Sequence, residues 1–337
     1  MESYQRTIEI KYTDLCTEIL DGLPDYVRTY VRSIHNNTSP RTRYEYLKDI
    51  KMFLSYMQER HSWSKITLQN LSSLTKNDFE EYFEYLEHYE KDGVEYSNTR
   101  VSIKRKMSAL RKFFAYLFKS GFIQSDEIRK VELPKLHKKA IVRLENDEAS
   151  TLLNAIENGT GLTEKELQYH KRDRVRDLAI FVLFMTTGLR VSELCGLDLD
   201  DLNMLGCSLR VVRKGGDQAT VFFPDLTRPY LADYLRIRMD LKDKLPNEKA
   251  LFLSSRQQRM AVRTIEVMIK KYARIISGKN ITPHKLRATY ATRLYELTSD
   301  IYLVAENLGH KDVATTKDHY ADLSDRKKQE SRNLVTI

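Results

Sequence analysis

The chain has 337 residues, of which 41% are hydrophobic and 31% charged, and its formal net charge is +9. This composition allows a sizeable core, excludes a disordered chain, and makes two domains the natural expectation. The three cysteines, Cys16, Cys195 and Cys207, form no CxxC pair, which argues against a disulfide scaffold or a cysteine zinc site and fits a reducing, cytoplasmic setting. The longest apolar run, Leu178 to Met185, is far shorter than the roughly 20 residues of a membrane span.

The N-terminus has no signal-peptide pattern. A basic chain suits a polyanionic partner, because each Lys or Arg that meets a phosphate releases condensed counterions. Charge alone leaves nucleic-acid binding an open question, since many basic proteins bind no nucleic acid.

The first part of the chain predicts helices throughout. Pro24 opens one helix, and Ser39-Pro40 begins a longer one with apolar residues at helical spacing. Thr75 is the predicted N-cap of a helix that runs through Lys91 and is closed by Asp92-Gly93. Ser97 or Asn98 is the predicted N-cap of a fourth helix.

The fourth predicted helix is strongly basic, with no acidic residue between Thr99 and Phe118. A solvated helix normally mixes both signs of charge, so the run favours a phosphate-facing surface over a solvated face. Its six cations are the candidate DNA-binding residues: Arg100, Lys104, Arg105, Lys106, Arg111 and Lys112.

Residues 126–143 lose the helical period around Pro134 and predict a basic linker between a first domain, 1–125, and a second, 144–337. In the second domain, SLRVVRK and QATVFFP predict a β-hairpin across Gly215-Gly216-Asp217. The other elements are helices, predicted at 147–156, 173–185, 226–242, 262–276, 283–296 and 302–307.

Four segments of the second domain contain candidate functional residues. Gly188 ends an apolar helix just before Arg190 in TTGLRVSELCGL, and Lys214 lies at the tip of the hairpin in RKGG. In ITPHKLRATYATRLY, His284 and Arg287 share a face at a helix start, where backbone amides attract anions. The fourth segment is ENLGHKDVATTKDHYADL, in which Gly309 breaks a helix before His310 and Tyr320 follows ten residues later. Each segment taken alone has an ordinary structural reading.

Taken in order, the six residues resemble the active-site set of the tyrosine recombinase family, which includes the Xer and lambda-integrase enzymes. The set is Arg190, Lys214, His284, Arg287, His310 and Tyr320. The strings TGLRxSEL, RKGG, HxLRxTxATxL and LGHxxxxTT followed by the tyrosine agree as well, and they look closest to single-enzyme Xer recombinases of Gram-positive bacteria. The chain departs from many members at Ala288, where they have His, and in a His310–Tyr320 interval one residue longer than in many Xer proteins.

The resemblance implies a mainly α protein with a small β-hairpin or sheet in its catalytic domain. It implies the two-domain, C-shaped clamp of the family, with residues 1–125 as a SAM-like core-binding domain. It also implies an enzyme that needs no cofactor and no metal, and the sequence contains neither a P-loop nor a carboxylate cluster for Mg²⁺.

The resemblance also assigns the roles. Arg190 and Arg287 would hold the non-bridging phosphate oxygens, and Tyr320 would attack to form a 3′-phosphotyrosyl link and a free 5′ hydroxyl. His284 is the best candidate to accept the tyrosine proton, because the unperturbed histidine pKa lies near 6.5. Lys214 would protonate the leaving oxygen, and His310 would donate a hydrogen bond to the phosphate.

The implied partners are a double-stranded DNA recombination site and further copies of the chain, as a homotetramer on two sites. The C-terminal NLVTI is either a segment exchanged between protomers or a frayed end. Chromosome-dimer resolution and mobile-element integration or excision both remain open. Two alternatives are a type IB topoisomerase-like relaxing enzyme and a DNA-binding regulator without catalysis.

Overall fold

The computed structural model describes residues 4–136, 142–213, 215–242, 244–276 and 278–309. The chain divides into two compact units, Met1–Lys139 and Ala140–Ile337. This division falls inside the predicted linker, whose limits stay a prediction. Within the described ranges, no helix has both the length and the apolar character that crossing a bilayer requires.

The first unit is helical apart from one hairpin, as far as residues 4–136 are concerned. Its elements are α1 (Tyr4–Leu20), α2 (Asp25–Ser33), a 3₁₀ turn (His35–Asn37), α3 (Pro40–Arg60), α4 (Leu68–Ser73), α5 (Lys76–Tyr85), β1 (His88–Lys91), β2 (Val94–Ser97), α6 (Arg100–Lys119) and a second 3₁₀ turn (Glu127–Lys130). The predicted start of α3 is confirmed, because the Ser39 side chain accepts a hydrogen bond from the Thr42 amide at 3.3 Å and Pro40 follows it.

The prediction of a helix through Lys91 is wrong, because α5 ends at Tyr85 and an antiparallel hairpin follows. Asp92 and Gly93 connect its strands, with φ of 53° and 73°. Two consecutive positive φ values are what a two-residue type I′ hairpin turn requires, and Asp-Gly is a preferred pair there. The dipeptide therefore reverses the chain between two strands, and does not end a helix.

The predicted cap of α6 is also displaced. Thr99 is the N-cap, and its side chain accepts from the Ser102 amide at 3.3 Å. Asn98 instead uses its side-chain amide to donate to the Leu86 carbonyl at 2.9 Å, which fixes the end of the hairpin to the end of α5.

Aromatic side chains join α3, α5 and α6 into the core of the first unit. Phe53 stacks on Phe79 with ring centroids 5.5 Å apart, and Phe114 packs edge-on against both rings. Ile128 and Val131 are buried in the same core. The beginning of the predicted linker is therefore part of the first unit, because its apolar side chains are removed from water in the core of that unit.

The second unit is also mainly helical within its described residues. Its elements are α7 (Asn146–Asn158), α8 (Glu164–Thr187), α9 (Val191–Gly196), a 3₁₀ turn (Leu199–Asp201), β3 (Leu202–Asn203), β4 (Ser208–Val212), β5 (Gln218–Phe222), a 3₁₀ turn (Asp225–Thr227), α10 (Arg228–Lys242), α11 (Val262–Ala273), α12 (Pro283–Thr298) and α13 (Ile301–Leu308). The predicted β4–β5 hairpin is confirmed, and a short β3 extends it to an antiparallel sheet in the order β3-β4-β5. A mainly α chain with a small sheet in its second half is thus the observed fold class.

Helix α8 is the central element of the second unit. It begins well before the predicted Asp173, because Thr163 and Glu166 form a capping box. The first half of α8 is polar, so no apolar periodicity in the sequence marks where the helix begins. Its second half is apolar and buried, and α7, α10 and α12 pack against the helix. The end of this helix positions the first candidate residue.

Candidate active site

Two helix ends lie together at the site, the C-terminus of α8 and the C-terminus of α13. Gly188 ends the first and Gly309 the second, each with φ of 61°. Glycine reaches this left-handed conformation without steric cost. A Cβ at position 188 would also lie 2.3 Å from Cδ1 of Tyr290, so the space requires glycine. Both predicted helix ends are confirmed.

Arg287 of α12 joins these two ends. The residue is only 4% exposed, and its Nη1 donates to the Gly188 carbonyl at 2.6 Å while Nη2 donates to the Leu308 carbonyl. Carbonyls in the last turn of a helix lack intrahelical donors and carry the negative end of the helix dipole. A buried guanidinium is therefore stabilised at this point.

Arg190 is the N-cap residue of α9 and faces the same place. Its amide and its Nη1 both donate to the Glu193 carboxylate at 2.8 Å, and its Nη2 donates to the Gly309 carbonyl at 3.3 Å. The Glu193 side chain is 2% exposed, whereas that of Arg190 is 29% exposed. The arginine is thus oriented by a buried carboxylate and still accessible to a ligand.

Arg213, directly after β4, is a third arginine in this cluster. Its Nη1 lies 3.3 Å from a Glu193 carboxylate oxygen and 3.3 Å from the Leu308 carbonyl, and Nη2 donates to the Asn307 carbonyl at 3.1 Å. Three guanidiniums therefore meet at the C-terminal end of α13, and two of them, those of Arg190 and Arg213, also contact the Glu193 carboxylate.

Four nucleophilic side chains of the second unit are unsuited to attack a phosphate because burial removes them wholly or partly from solvent. Burial raises the pKa of Tyr290, against an opposing effect of Arg287, and burial likewise raises the pKa of Tyr234 and Tyr272. Burial also raises the pKa of the Cys195 thiol to about 12. These groups stay protonated at neutral pH and are poor nucleophiles.

The structure describes three of the six predicted catalytic residues and brings two of them together. Arg190 and Arg287 both donate to backbone carbonyls at the C-terminal end of α13. His284 lies exposed in the first turn of α12. Thr282 is the N-cap of α12 and Pro283 is its first residue, so the helix starts where the sequence predicts it. The other three, Lys214, His310 and Tyr320, lie outside the described residues and stay predictions.

Sequence reasoning overlooked Glu193 and Arg213. A signal existed for Glu193, because an acidic residue three positions after an N-cap residue can close a capping box. Arg213 stands in the RKGG string beside the predicted Lys214, but its contacts with α13 connect positions far apart in the chain.

The six cations of the basic helix α6 in the first unit differ in their surroundings, and several of them bond to groups within the protein. Both terminal nitrogens of Arg105 donate to Asp49, at 2.7 and 2.9 Å, and Lys106 Nζ donates to it at 3.0 Å. The Asp49 side chain is 2% exposed. Arg111 donates to the Val131 carbonyl. Three of the six predicted DNA-binding residues thus donate to the buried Asp49 carboxylate or to a backbone carbonyl.

The other three cations of α6 face outward to different degrees. Arg100 and Lys112 are exposed and Lys104 is partly exposed, while Lys112 also donates to the Tyr46 hydroxyl at 2.9 Å. The assignment of all six to DNA binding stays a prediction. Arg100, Arg105 and Lys112 are its exposed members, and Lys104 lies one turn after Arg100.

Both halves of the chain match models of known protein families. Residues 142–327 match the phage integrase family, and residues 27–121 match the phage integrase N-terminal SAM-like domain.

Curated relatives extend this match over almost the whole chain. A tyrosine recombinase XerS of Streptococcus agalactiae is 32% identical over 89% of this chain and 92% of its own length. A tyrosine recombinase XerC of Caldanaerobacter subterraneus is 31% identical over 88% of this chain and 81% of its own length.

Solved structures have the same fold. An XerH site-specific recombinase bound to a palindromic difH substrate, in a post-cleavage complex, matches with a TM-score of 0.63 and 18% identity over 92% of this chain and 95% of that one. A lambda integrase dimer bound to a COC′ core site matches with a TM-score of 0.60 and 18% identity over 88% and 94%. With two family models covering both halves and relatives above 30% identity, the chain belongs to the phage integrase family, as the tyrosine recombinases XerS and XerC do.

Proposed function

We propose that this chain is a site-specific recombinase that cleaves DNA through a covalent bond between Tyr320 and a 3′ phosphate and then rejoins that phosphate to a new strand. The observation that supports this most strongly is the convergence of Arg190 and Arg287 on the last turn of α13. These arginines come from separate motifs, and His310 follows that turn directly in the sequence.

The arginine cluster suits a phosphodiester in chemical terms. The negative oxygens of a phosphodiester repel a nucleophile, and guanidinium groups can bind them in pairs and offset the charge that grows in the transition state. Arg190 is accessible, and Glu193 fixes its direction. A preorganised cation stabilises the transition state without reorganising during the reaction.

The remaining steps belong to residues assigned by the family resemblance. The Tyr320 oxygen bonds to phosphorus as the bond from phosphorus to the 5′ oxygen breaks. His284 takes the tyrosine proton, Lys214 supplies a proton to the leaving oxygen, and His310 donates a hydrogen bond to the phosphate. The phosphotyrosyl link keeps the energy of the cleaved bond, so rejoining requires no ATP.

The proposed substrate is a double-stranded recombination site, bound in part by the outward cations of α6. Four copies would act on two sites, with the C-terminal NLVTI exchanged between protomers; that segment lies outside the described residues. A solved lambda integrase is a tetramer bound to a Holliday junction, which supports this assembly. Action on chromosomal DNA implies a cytoplasmic location, and relatives named XerS and XerC make chromosome-dimer resolution the first task to test.

The test is a covalent complex with a nicked target duplex, separated on a denaturing gel. Tyr320→Phe should abolish the complex and leave DNA binding intact, because the phenol oxygen is the attacking atom. Tyr302→Phe is the matched control, since Tyr302 lies on α13 and is 72% exposed, and it should form the complex normally. A complex that survives Tyr320→Phe would assign the nucleophile elsewhere.

The covalent-complex assay tests the regulator alternative, and a plasmid assay tests the topoisomerase alternative. A regulator without catalysis would bind the duplex and form no complex. A topoisomerase-like enzyme would relax a supercoiled plasmid that lacks any specific site, whereas the proposed recombinase should recombine only plasmids that contain its target.

A further inference from the structure

Arg213 has an unusual position among the arginines of the site. It lies between β4 and the hairpin tip, is partly buried with 11% of its side chain exposed, and contacts Glu193 together with the carbonyls of Asn307 and Leu308. It directly precedes Lys214, and the helix turn that it contacts directly precedes His310. None of the catalytic roles assigned above uses it.

We infer that Arg213 is a positioning residue, which holds the base of the β4–β5 hairpin against the last turn of α13. It thereby places Lys214 relative to Arg190 and Arg287, the arginine pair proposed to bind the phosphate. The inference rests on the proposed function, because it takes Lys214 to be the proton donor. Arg213 and Arg190 share the Glu193 carboxylate, so one buried anion orients both the hairpin and the phosphate-binding arginine.

The fit of Arg213 against Gly309 supports this role. A Cβ at position 309 would lie 2.8 Å from both Cζ and Nε of Arg213, so the backbone of the turn packs directly on the guanidinium. Only a planar group with several donors reaches a carboxylate and two carbonyls at once, whereas a lysine ammonium is a single point. Lysine at this position would keep the positive charge but lose the simultaneous contacts with the carboxylate and the two carbonyls.

A purely structural role makes a different prediction from a positioning role. A group that only supports the fold should alter the cleavage of every substrate alike. A group that places the proton donor should matter only where the leaving oxygen needs a proton. Replacing the bridging 5′ oxygen by sulfur removes that need, because a thiolate leaves without protonation.

The experiment compares single-turnover cleavage of oxygen and 5′-bridging-sulfur duplexes by full-length variants at saturating DNA. Arg213→Ala and Arg213→Lys should each cleave the oxygen substrate about 100-fold more slowly, because misplacing a reacting group by about 1 Å can cost that much. Both should cleave the sulfur substrate at nearly the parental rate. Arg210→Ala is the matched control, since Arg210 is on β4, 59% exposed and paired with Asp201, and both its rates should be parental.

An equal loss on both substrates, or no loss on either, overturns the inference. Lys214→Ala separates this from failure of the proposed function: if sulfur rescues Lys214→Ala but not Arg213→Ala, only the positioning role is wrong. If sulfur fails to rescue Lys214→Ala, the proton donor is misassigned and the inference is overturned with it.

A second variant tests the contact itself. Gly309→Ala places a methyl group against the Arg213 guanidinium and should slow cleavage of the oxygen substrate. In the Arg213→Ala background the same change should have a smaller effect, because residues in contact couple in a double-mutant cycle. Strict additivity of the two changes would contradict the proposed packing.

Discussion

A buried carboxylate that binds two cations occurs in each unit of this molecule. Asp49 of the first unit accepts from Arg105 and Lys106, and Glu193 of the second accepts from Arg190 and Arg213. Both carboxylate side chains are 2% exposed. The cations at Asp49 are consecutive residues of one helix, whereas those at Glu193 come from a helix cap and the end of a strand.

The difference shows that cations clustered in sequence need not all meet in space. The six cations of α6 point in different directions, because successive residues of a helix lie about 100° apart, with 3.6 residues to each turn. In the second unit, Arg190, Arg213 and Arg287 are far apart in sequence and meet at one helix end, where carbonyls and a carboxylate attract them. This cluster, formed by arginines distant from one another in sequence, is the candidate active site.

The largest expected effect is at Arg287, which contacts both helix ends. Arg287→Lys should lower the single-turnover cleavage rate about 100- to 1000-fold, as loss of a group that stabilises transition-state charge does. Arg238→Lys is the matched control, because Arg238 is also buried and donates to the carbonyls of Ala250 and Glu248. The control should lose stability without losing cleavage by the folded protein, and equal losses in both variants would remove Arg287 from the site.

The two carboxylates provide the next comparison. Glu193→Gln and Asp49→Asn should each lower the free energy of unfolding by about 1–3 kcal/mol, because each leaves two cations without their buried anion. The measurement is unfolding in denaturant, combined with single-turnover cleavage at saturating DNA. Only Glu193→Gln should slow cleavage. A matching loss of rate in Asp49→Asn would show that the two clusters have the same role.

The smallest expected effect concerns the salt dependence of DNA binding. Replacing Arg100 and Lys104 by Ala should flatten the slope of log K against log salt by about 0.9 for each lost phosphate contact. Lys106→Ala should leave the slope unchanged, since the Lys106 side chain is 14% exposed and its ammonium already bonds to Asp49. Binding titrations at several salt concentrations measure both, and an unchanged slope in the first variant would make α6 a solvated face.

Local signals predicted many of the elements correctly. Ser39-Pro40 begins α3, Gly188 and Gly309 end α8 and α13, and the β4–β5 hairpin lies where alternation and glycines predict it. Such signals work because caps and turns depend on a few neighbouring residues. Local rules failed at Asp92-Gly93, since the same dipeptide suits a helix end and a type I′ turn, and pairing between β1 and β2 decides the outcome.

The sequence by itself determined the mainly α class, the basic first half, the order of the motifs and the family that they resemble. Only the tertiary structure decided which cations work together. It drew Arg105 and Lys106 to Asp49 and added Glu193 and Arg213 to the arginine pair. The reason is physical: a buried carboxylate or an unpaired helix carbonyl stabilises whichever cation the fold brings near it, whatever the distance along the chain.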